Sequence, residues 1–269
     1  MCPKPQVNSV LSIAKAKPEG RKLSMVTCYD ATFARLIEQS SIDMVLVGDS
    51  LGTVMLGYKS SLQVTLDDMV HHAAAVSRVI KRPLLCVDMP FMTYHSSREQ
   101  ALENASVLVQ KGGAHCVKLE GGQRICSQVD SLVSAGIPVV GHIGLTPQSV
   151  NTLGGFRVQG RSDEDRKRII EDALSLEQAG AFALVLELVP ADLAREISRR
   201  LTIPTIGIGA GIDCDGQVLV LQDLLGLDQD FSPKFLKKYA NAASLVHECL
   251  DQFDRDVKEL RFPAVENSY

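Results

Sequence analysis

The sequence predicts an α/β fold of the closed (β/α)8 barrel type. Short apolar segments that end on a polar residue alternate with amphipathic helical segments about eight times along the chain. Such alternation of strand and helix is typical of a parallel sheet. Eight units in 269 residues favour a closed barrel over a doubly wound sheet. Short connections without a low-complexity linker predict one domain over 1–269, with a helical lead over 1–20 and a helical tail over about 231–269.

The strands are predicted from short apolar runs that are bounded by glycine, proline or polar residues. The run 44–47 shows the pattern best, because it leads directly into Gly48, Asp49 and Ser50. A continuous apolar run of this kind is typical of a strand that is buried on both faces. The other predicted strands are 23–28, 84–88, 115–120, 137–142, 183–187, 203–208 and, as the weakest, 218–221.

The helices between these strands are predicted from their capping residues. Asp30 is placed to cap a helix that begins at 31, and Ser97 and Ser162 precede helical segments that end near 111 and 179. Thr65, with Asp68 three residues later, resembles a capping box for a helix through 80, and a polar loop end is the alternative. The remaining predictions are helices over 9–17, 121–136 and 191–200, a helix capped by Thr146, and a long loop over 51–64.

The composition argues against several classes of function. A net charge of −4 gives no electrostatic basis for binding nucleic acid or an anionic membrane. No apolar stretch approaches the roughly 20 residues of a membrane-spanning helix. The first residues lack an apolar signal region, so we expect a cytoplasmic protein. The seven cysteines form no Cys-x-x-Cys pair, so we expect reduced thiols and no zinc site.

Polar residues at the strand ends are the candidate site, because the active site of such a barrel lies at the carboxyl ends of its strands. Asp49 and Asp88 each follow an apolar run. Either can simply cap the next helix, although Pro90 weakens that interpretation for Asp88. Alternatively, two carboxylates from different strands suit a hard cation such as Mg²⁺, which prefers oxygen ligands.

Four further strand-end residues can carry chemistry. Lys118 and Glu120 are two positions apart and share a face of their strand, so they can form a local ion pair or belong to a buried site. His142 can be a hydrogen-bonded structural residue or a catalytic group. Glu187, which apolar residues flank, can be an exposed loop carboxylate or a base that works near neutral pH.

Six segments of the chain, spread in order between about 21 and 240, together resemble one known family. These segments are Val-Gly-Asp-Ser-Leu-Gly at 47–52, Asp-Met-Pro-Phe at 88–91, Val-Lys-Leu-Glu-Gly-Gly at 117–122, Gly-His-Ile-Gly-Leu-Thr-Pro-Gln at 141–148, Leu-Glu-Leu-Val-Pro at 186–190 and Gly-Ile-Gly-Ala-Gly at 207–211. Each motif alone is weak, but six in register make a strong match. The sequence therefore resembles the ketopantoate hydroxymethyltransferase (3-methyl-2-oxobutanoate hydroxymethyltransferase) family.

The resemblance implies a particular enzymatic activity. Enzymes of the family are Mg²⁺-dependent barrels of the phosphoenolpyruvate/pyruvate superfamily. They transfer a hydroxymethyl group from 5,10-methylenetetrahydrofolate to 3-methyl-2-oxobutanoate, which gives 2-dehydropantoate in the first step of pantothenate biosynthesis. Mg²⁺ stabilises the enolate of the 2-oxo acid in such a reaction. The resemblance also implies a homo-oligomer, namely a decamer, with small-molecule substrates as its partners.

The resemblance assigns the metal site to carboxylates. Asp49 and Asp88 would be metal ligands, and Glu120 would lie in or beside the metal shell. As metal ligands, the two aspartates would also help to bind the substrate.

The remaining roles that the resemblance implies concern the substrate itself. Ser50 and Lys118 would hold its carboxylate and keto oxygens, and His142 would be a supporting polar group at the same place. Glu187 would be the catalytic proton acceptor. The chain shows no departure from the family pattern at any of these positions.

Two other functions compete with this interpretation. A Mg²⁺-dependent carbon–carbon lyase or phosphonomutase of the same superfamily would share the metal and the binding of a 2-oxo acid. Those enzymes commonly use a cysteine-containing loop, and no such loop is evident in the sequence. A non-catalytic barrel that serves as a binding or scaffold protein would have scattered polar strand ends rather than a convergent set.

Overall fold

Eight strands form a closed parallel barrel in the computed structural model, which describes residues 7–155 and 157–269. The strands are β1 (Leu23–Thr27), β2 (Met44–Val47), β3 (Leu84–Asp88), β4 (Cys116–Glu120), β5 (Val139–Gly144), β6 (Ala183–Glu187), β7 (Thr205–Ile208) and β8 (Gly216–Leu219). Each strand pairs with the next one along the chain, and β8 pairs with β1 to close the barrel. The predicted (β/α)8 fold is therefore confirmed.

Helical segments connect these strands. The α-helices of the described residues are Val10–Ala14, Ala31–Glu38, Leu51–Val54, Leu66–Ser77, Arg98–Gln110, Cys126–Ser134, Val150–Leu153, Asp163–Gln178, Ala191–Arg200, Leu221–Leu225 and Ala242–Lys258. Short 3-10 turns lie at Ser61–Gln63, Gln123–Ile125, Pro147–Ser149 and Val265–Asn267. Over the residues that the structure describes, no helix is both long and apolar enough to cross a membrane.

The chain divides into two compact units. The first ends at Leu219 and contains the whole barrel, and the second is Val220–Tyr269. The helical lead appears as the helix Val10–Ala14, while residues 1–6 of the predicted lead lie outside the described part of the chain. That 1–269 forms a single domain stays a prediction.

The capping residues are where the sequence indicated. The Asp30 side chain accepts hydrogen bonds from the backbone N–H groups at the start of the helix Ala31–Glu38. Thr65 and Asp68 form the reciprocal capping box, so the alternative of a polar loop end is wrong. Ser97 and Ser162 cap their helices in the same way. These bonds satisfy backbone donors that a helix leaves unpaired at its first turn.

Several local predictions are wrong, and one of them is the eighth strand, which covers Gly216–Leu219 rather than 218–221. The fifth strand begins at Val139 rather than at 137, because Pro138 has no N–H to donate to a strand ladder. The side chain of Thr146 makes no capping hydrogen bond, and the chain enters a 3-10 turn at Pro147 instead. The segment predicted as a long loop over 51–64 contains the helix Leu51–Val54 and the 3-10 turn Ser61–Gln63.

Apolar side chains fill the barrel from its amino-terminal end. Successive side chains on a strand point to opposite faces, so one row of every strand points inward. The inward rows form one buried cluster with Ile13 of the lead helix and Ala16 just beyond it. The strand members of this cluster include Leu23, Met25, Met44, Leu46, Leu84, Cys86, Cys116, Val140, Ala183, Val185, Ile206 and Val218. We call these twelve residues the barrel floor.

Candidate active site

Polar side chains occupy the inward-facing positions of several strands beyond the barrel floor, toward the carboxyl ends of the strands. Asp88 is two positions beyond Cys86 on β3, and Lys118 is two positions beyond Cys116 on β4. Glu120, His142 and Glu187 continue the rows of β4, β5 and β6 in the same way. Because side chains two apart share a face, five of the seven residues predicted for the site point into the carboxyl end of the barrel. We call Asp49, Asp88, Lys118, Glu120, His142 and Glu187 the barrel mouth.

The strand register brings opposite charges together in the barrel mouth. Asp88 is paired with Lys118 across β3 and β4, and Glu120 with His142 across β4 and β5. Lys118 Nζ lies 3.1 Å from Asp88 Oδ1 and 3.7 Å from Glu120 Oε1. Burial alone would lower the pKa of Lys118, but the charges of Asp88, Glu120 and Asp49 outweigh it and raise that pKa above its usual range. Lys118 is therefore a fixed buried cation, and its pair with Glu120 is one part of a larger cluster.

His142 links two carboxylates. Its Nδ1 lies 3.3 Å from Glu120 Oε1 and 3.0 Å from Lys118 Nζ, and its Nε2 lies 3.1 Å from Glu187 Oε2. Burial and the Lys118 charge oppose protonation of the ring, but Glu120 and Glu187 prevail and raise the pKa of His142 to about 9. Below that pH the imidazolium is attracted by its charge to a carboxylate on each side, although its Nε2 makes no aligned hydrogen bond to Glu187. His142 thus holds Glu187 against the charged cluster.

Glu187 is also held through its backbone. Gly144 adopts a positive φ of 92°, and a Cβ there would collide with the carbonyl oxygen of Glu187. Leu188 has a left-handed φ of 45°, which costs a residue other than glycine about 1–3 kcal/mol. Its N–H donates to Ile208 O and its carbonyl accepts from Gln159 N, both at 2.9 Å. The side chain of Glu187 is 19% exposed, whereas that of Glu120 is only 3% exposed. Glu187 therefore lies where a substrate can reach it.

Asp49 enters the barrel mouth from the loop after β2. Its backbone N–H donates to Asp88 Oδ2 at 3.0 Å. A Cβ at Gly48 would lie 2.8 Å from Ser50 Oγ and 3.4 Å from Asp88 Oδ2, so glycine leaves room for this approach. Ser50, not Asp49, is the first residue before the helix Leu51–Val54. Neither aspartate caps a helix, so that alternative interpretation is wrong.

The two aspartates resist ionisation. Burial is the largest effect on the pKa of Asp49, and the negative charges of Glu120 and Asp88 add to it, so this pKa is raised well above its usual range. Burial also raises the pKa of Asp88, although Lys118 opposes the shift. Both shifts come first from burial, which disfavours the charged carboxylate. A bound cation would offset that cost, so Asp49 and Asp88 are the residues of the site that could hold one.

Ser50 lies beside the cluster, next to a tyrosine that the sequence did not single out. The Ser50 hydroxyl is 2.8 Å from the hydroxyl of Tyr29, and the Tyr29 ring is buried. The backbone carbonyl oxygen of Tyr29 lies 2.7 Å from Nδ1 of His72. The structure therefore places all seven predicted site residues at one end of the barrel, with Ser50 held by a residue of the loop after β1.

Two further residues of the site were missed by the sequence argument. Gln148, which is 4% exposed, donates to Asp49 and to a backbone carbonyl, and its own N–H donates to Glu120. Tyr94, which is fully buried, bonds to Gln148 and to the backbone of Glu120. Gln148 belongs to a motif that was singled out, but the residue was given no role. An uncharged amide in a turn carries no periodic or charge signal.

The fold and this site define a class of protein: a (β/α)8 barrel with buried ionisable groups at the carboxyl ends of its strands. Solved structures share the fold. The chain is similar to phosphonopyruvate hydrolase, solved as a complex with oxalate and Mg²⁺, with a TM-score of 0.63 and 10% identity over 97% of this chain and 93% of that one. It is also similar to 2,3-dimethylmalate lyase, a PEP mutase/isocitrate lyase superfamily member, with a TM-score of 0.61 and 16% identity over 93% and 89% of the two chains.

The sequence places the chain more narrowly within this class. The sequence model of the ketopantoate hydroxymethyltransferase family matches residues 8–265. Proteins named 3-methyl-2-oxobutanoate hydroxymethyltransferase from Thermoanaerobacter sp. (strain X514) and Clostridium novyi (strain NT) are each 52% identical to it, over 97% of this chain and 95% of theirs. The chain belongs to the ketopantoate hydroxymethyltransferase family. The resemblance seen in the six motifs is confirmed.

Proposed function

We propose that the protein transfers a hydroxymethyl group from 5,10-methylenetetrahydrofolate to 3-methyl-2-oxobutanoate and so forms 2-dehydropantoate. The observation that carries this proposal is the convergence of an acidic pair, a buried lysine and a histidine-held glutamate on one barrel end. A scaffold protein has no need for such a costly buried cluster. The identity of 52% to relatives that are named for this reaction favours it over the alternative of another superfamily activity, since phosphonopyruvate hydrolase and 2,3-dimethylmalate lyase share only 10% and 16% identity with the chain.

The residues of the barrel mouth fit a bound Mg²⁺. Asp88 Oδ1 is buried and, although it lies 3.1 Å from Lys118 Nζ, it makes no aligned hydrogen bond. Among the described residues, no three acidic, histidine or cysteine side chains already surround a common metal position. Mg²⁺ is usually held by one or two carboxylates with water and substrate as its other ligands, which matches Asp49 and Asp88. When bound, the ion would polarise the keto group of the 2-oxo acid.

Glu120 is better suited to support this site than to bind the ion itself. Gln148 N donates to Glu120 Oε2 at 2.9 Å, while His142 Nδ1 and Lys118 Nζ face Oε1. Partners of this kind orient the groups around a metal. Burial opposes ionisation of Glu120, but His142, Lys118 and Gln148 prevail and lower its pKa. Glu120 as a direct metal ligand stays a prediction.

Lys118 and Ser50 would bind the 2-oxo acid. An ammonium group beside the metal-binding carboxylates can bind an anionic oxygen of the substrate, and charged hydrogen bonds of this kind are worth about 1.5–3 kcal/mol. Lys118 Nζ lies 3.1 Å from Asp88 Oδ1 and 3.7 Å from Glu120 Oε1. A substrate oxygen that Lys118 binds would therefore lie beside the carboxylates of Asp49 and Asp88. The Ser50 hydroxyl, held by Tyr29, can donate to a second oxygen.

Glu187 would remove the proton from C3 of the substrate. Its position at the exposed edge of the barrel mouth leaves it accessible, and His142 keeps its carboxylate oriented. Water adds to the one-carbon unit of the folate and releases it as formaldehyde, while both C–N bonds break and the two folate nitrogens take the protons of the water, which leaves tetrahydrofolate. The deprotonated C3 then attacks this formaldehyde, and the alkoxide that forms takes back the proton from Glu187 to give the hydroxymethyl group. A positioned general base of this kind typically contributes about 10²–10⁴ in rate.

An assay of product formation tests the proposal and separates it from its competitors. We expect 2-dehydropantoate only when 3-methyl-2-oxobutanoate, 5,10-methylenetetrahydrofolate and Mg²⁺ are all supplied. Without folate, we expect metal-dependent exchange of the C3 proton for deuterium. A scaffold protein would give neither signal. Cleavage of a 2-hydroxy dicarboxylic acid without any folate-dependent product would favour the lyase.

A homo-oligomer is also part of the proposal. The helix Ala242–Lys258 of the second unit carries large apolar side chains that are exposed, and such patches mark contact surfaces on soluble proteins. They are Leu245, Val246, Leu250, Phe253 and Val257. Light scattering on the purified protein should give several times the monomer mass, with a decamer as the expectation from family resemblance, and a monomer would contradict it. The cytoplasmic location and the lack of nucleic-acid and membrane partners stay predictions.

A further inference from the structure

Gln148 lies beside the barrel mouth and bonds to two of its carboxylates. It lies in the 3-10 turn Pro147–Ser149 that follows β5, and it is buried. Its Nε2 donates to Asp49 Oδ2 at 2.8 Å and to Met89 O at 2.9 Å. Its backbone N–H donates to Glu120 Oε2 at 2.9 Å. One residue therefore connects the carboxyl ends of the strands β2, β3 and β4.

The Gln148 amide has a single orientation, in which its oxygen faces the Tyr94 hydroxyl. The Tyr94 hydroxyl can donate its one proton to Gln148 Oε1 at 2.8 Å or to Glu120 O at 3.0 Å, and it accepts from Glu120 N at 3.1 Å. Both N–H groups of the Gln148 amide are used, and so is its oxygen. A flipped amide would place its oxygen against two acceptors, Asp49 Oδ2 and Met89 O. Asp49 Oδ2 and Met89 O thus allow one orientation only.

The orientation of the Gln148 amide determines which carboxylate oxygens of Asp49 and Glu120 remain available to other groups. Because Gln148 occupies Asp49 Oδ2, Oδ1 is the oxygen that Asp49 would offer to a cation. Because Gln148 also occupies Glu120 Oε2, the other oxygen of Glu120 is left to His142 and Lys118. Mg²⁺ demands nearly ideal octahedral geometry, so a carboxylate that is free to rotate would bind it less well.

We propose that Gln148 is a positioning residue for the Asp49 and Glu120 carboxylates, and that Tyr94 acts through it. The pair sets the geometry with which the barrel mouth receives a divalent cation. This inference rests on the proposed function, since it concerns the same cation. Groups that hold metal ligands in place typically change metal affinity or activity by 10–100-fold when they are mutated.

The test is Mg²⁺ titration of the full-length protein by calorimetry, without substrate. We expect Gln148→Leu to raise the dissociation constant of Mg²⁺ by about 10–100-fold. Tyr94→Phe keeps the buried ring and removes the hydroxyl with its bonds to Gln148 Oε1 and to the backbone of Glu120, so we expect a rise of about twofold to tenfold. The double variant should bind Mg²⁺ no more weakly than Gln148→Leu alone, because Tyr94 acts through Gln148.

Gln128→Leu is the matched control. Gln128 is also buried, but it lies in the helix Cys126–Ser134 outside the barrel mouth. Its loss should lower the melting temperature and leave the Mg²⁺ affinity at the parent value.

If Gln148→Leu behaves like this control, or if it fails to fold while Tyr94→Phe binds Mg²⁺ as the parent does, Gln148 is merely structural and the inference is overturned. If the two single changes weaken binding additively, the role of Tyr94 is overturned. A parent protein that binds no Mg²⁺ would instead overturn the proposed function itself.

Discussion

The barrel floor and the barrel mouth are built from the same strands and the same inward rows, yet their chemistry is opposite. On β3 the row runs from Leu84 through Cys86 to Asp88, and on β4 it runs from Cys116 through Lys118 to Glu120. Below, apolar side chains exclude water. Above, Asp88, Lys118 and Glu120 of the same two strands are just as buried, but they are ionisable, and Lys118 Nζ lies within 4 Å of both carboxylates.

The difference shows that burial serves two separate ends in this barrel. In the floor, burial stabilises the fold, since each buried aliphatic side chain contributes about 1.5–3 kcal/mol. In the mouth, burial raises the pKa of Asp49 and Asp88 and so disfavours the carboxylates that the protein places there. Mutations in the floor should therefore damage stability, and mutations in the mouth should damage activity.

The largest effect is expected for Asp88→Asn in the mouth. The change keeps the shape of the side chain and removes its charge, so Mg²⁺ binding and turnover should be lost while the fold stays intact by circular dichroism. Asp130→Asn, an exposed change on the helix Cys126–Ser134, is the control and should keep full turnover. Near-parent turnover of Asp88→Asn at limiting Mg²⁺ would contradict the metal assignment.

The reverse result is expected for Leu84→Ala in the floor. Leu84 is buried in the apolar cluster, and removing such a side chain costs about 2–5 kcal/mol of the free energy of unfolding. Denaturant titration should show this loss, while KM for the 2-oxo acid at low temperature should stay near the parent value. A large rise in KM without loss of stability would mean that floor and mouth are not separable.

A smaller effect is expected for Lys118→Met, which keeps much of the side-chain length and removes the charge. Substrate binding should weaken by about 10–100-fold, because a charged hydrogen bond is worth about 1.5–3 kcal/mol and about 1.4 kcal/mol corresponds to a factor of ten. Calorimetry with 3-methyl-2-oxobutanoate and saturating Mg²⁺ measures this change. Unchanged binding would indicate that Lys118 only pairs with Asp88 and Glu120.

The smallest effect is expected outside the barrel, at Asp223 in the second unit. Burial, followed by the charge of Asp228, raises the pKa of Asp223 to about 6. A raised pKa favours the protonated folded state, so this contribution to stability is full below about pH 4 and is lost as the pH rises through about 6. Asp223→Asn should therefore melt at the parent temperature at pH 3.5 and slightly above it at pH 8.

The effect of Mg²⁺ on the melting temperature distinguishes the Asp223 carboxyl group from the carboxyl groups of the barrel mouth. Scanning calorimetry at pH 8 should show the same small gain for Asp223→Asn with and without Mg²⁺, because the proposed cation site lies elsewhere. The parent protein itself should melt at a higher temperature with Mg²⁺, since a ligand that binds only the folded state stabilises it. If Mg²⁺ removed the difference between parent and Asp223→Asn, the ion would bind near Asp223.

The sequence predicted those site residues that are ionisable and stand at the end of a strand. Asp88, Glu120 and Glu187 could be placed because each ends an apolar run and the barrel brings such ends together. Gln148 and Tyr94 could not be placed, because their roles depend on contacts between loops that are up to 99 residues apart in the chain. The shift of β5 by two residues shows the same limit: an apolar run does not reveal which of its residues pair.

The central claim is that Glu187 removes the C3 proton of a 2-oxo acid in the barrel mouth. The most direct measurement is folate-independent exchange of that proton with D₂O, followed by NMR in the presence of Mg²⁺. Glu187→Gln keeps the size of the side chain and removes its basicity, so exchange should fall at least about a hundredfold while calorimetry still shows binding of Mg²⁺ and 3-methyl-2-oxobutanoate. Exchange at the parent rate in Glu187→Gln would contradict the claim and make His142 the next residue to test.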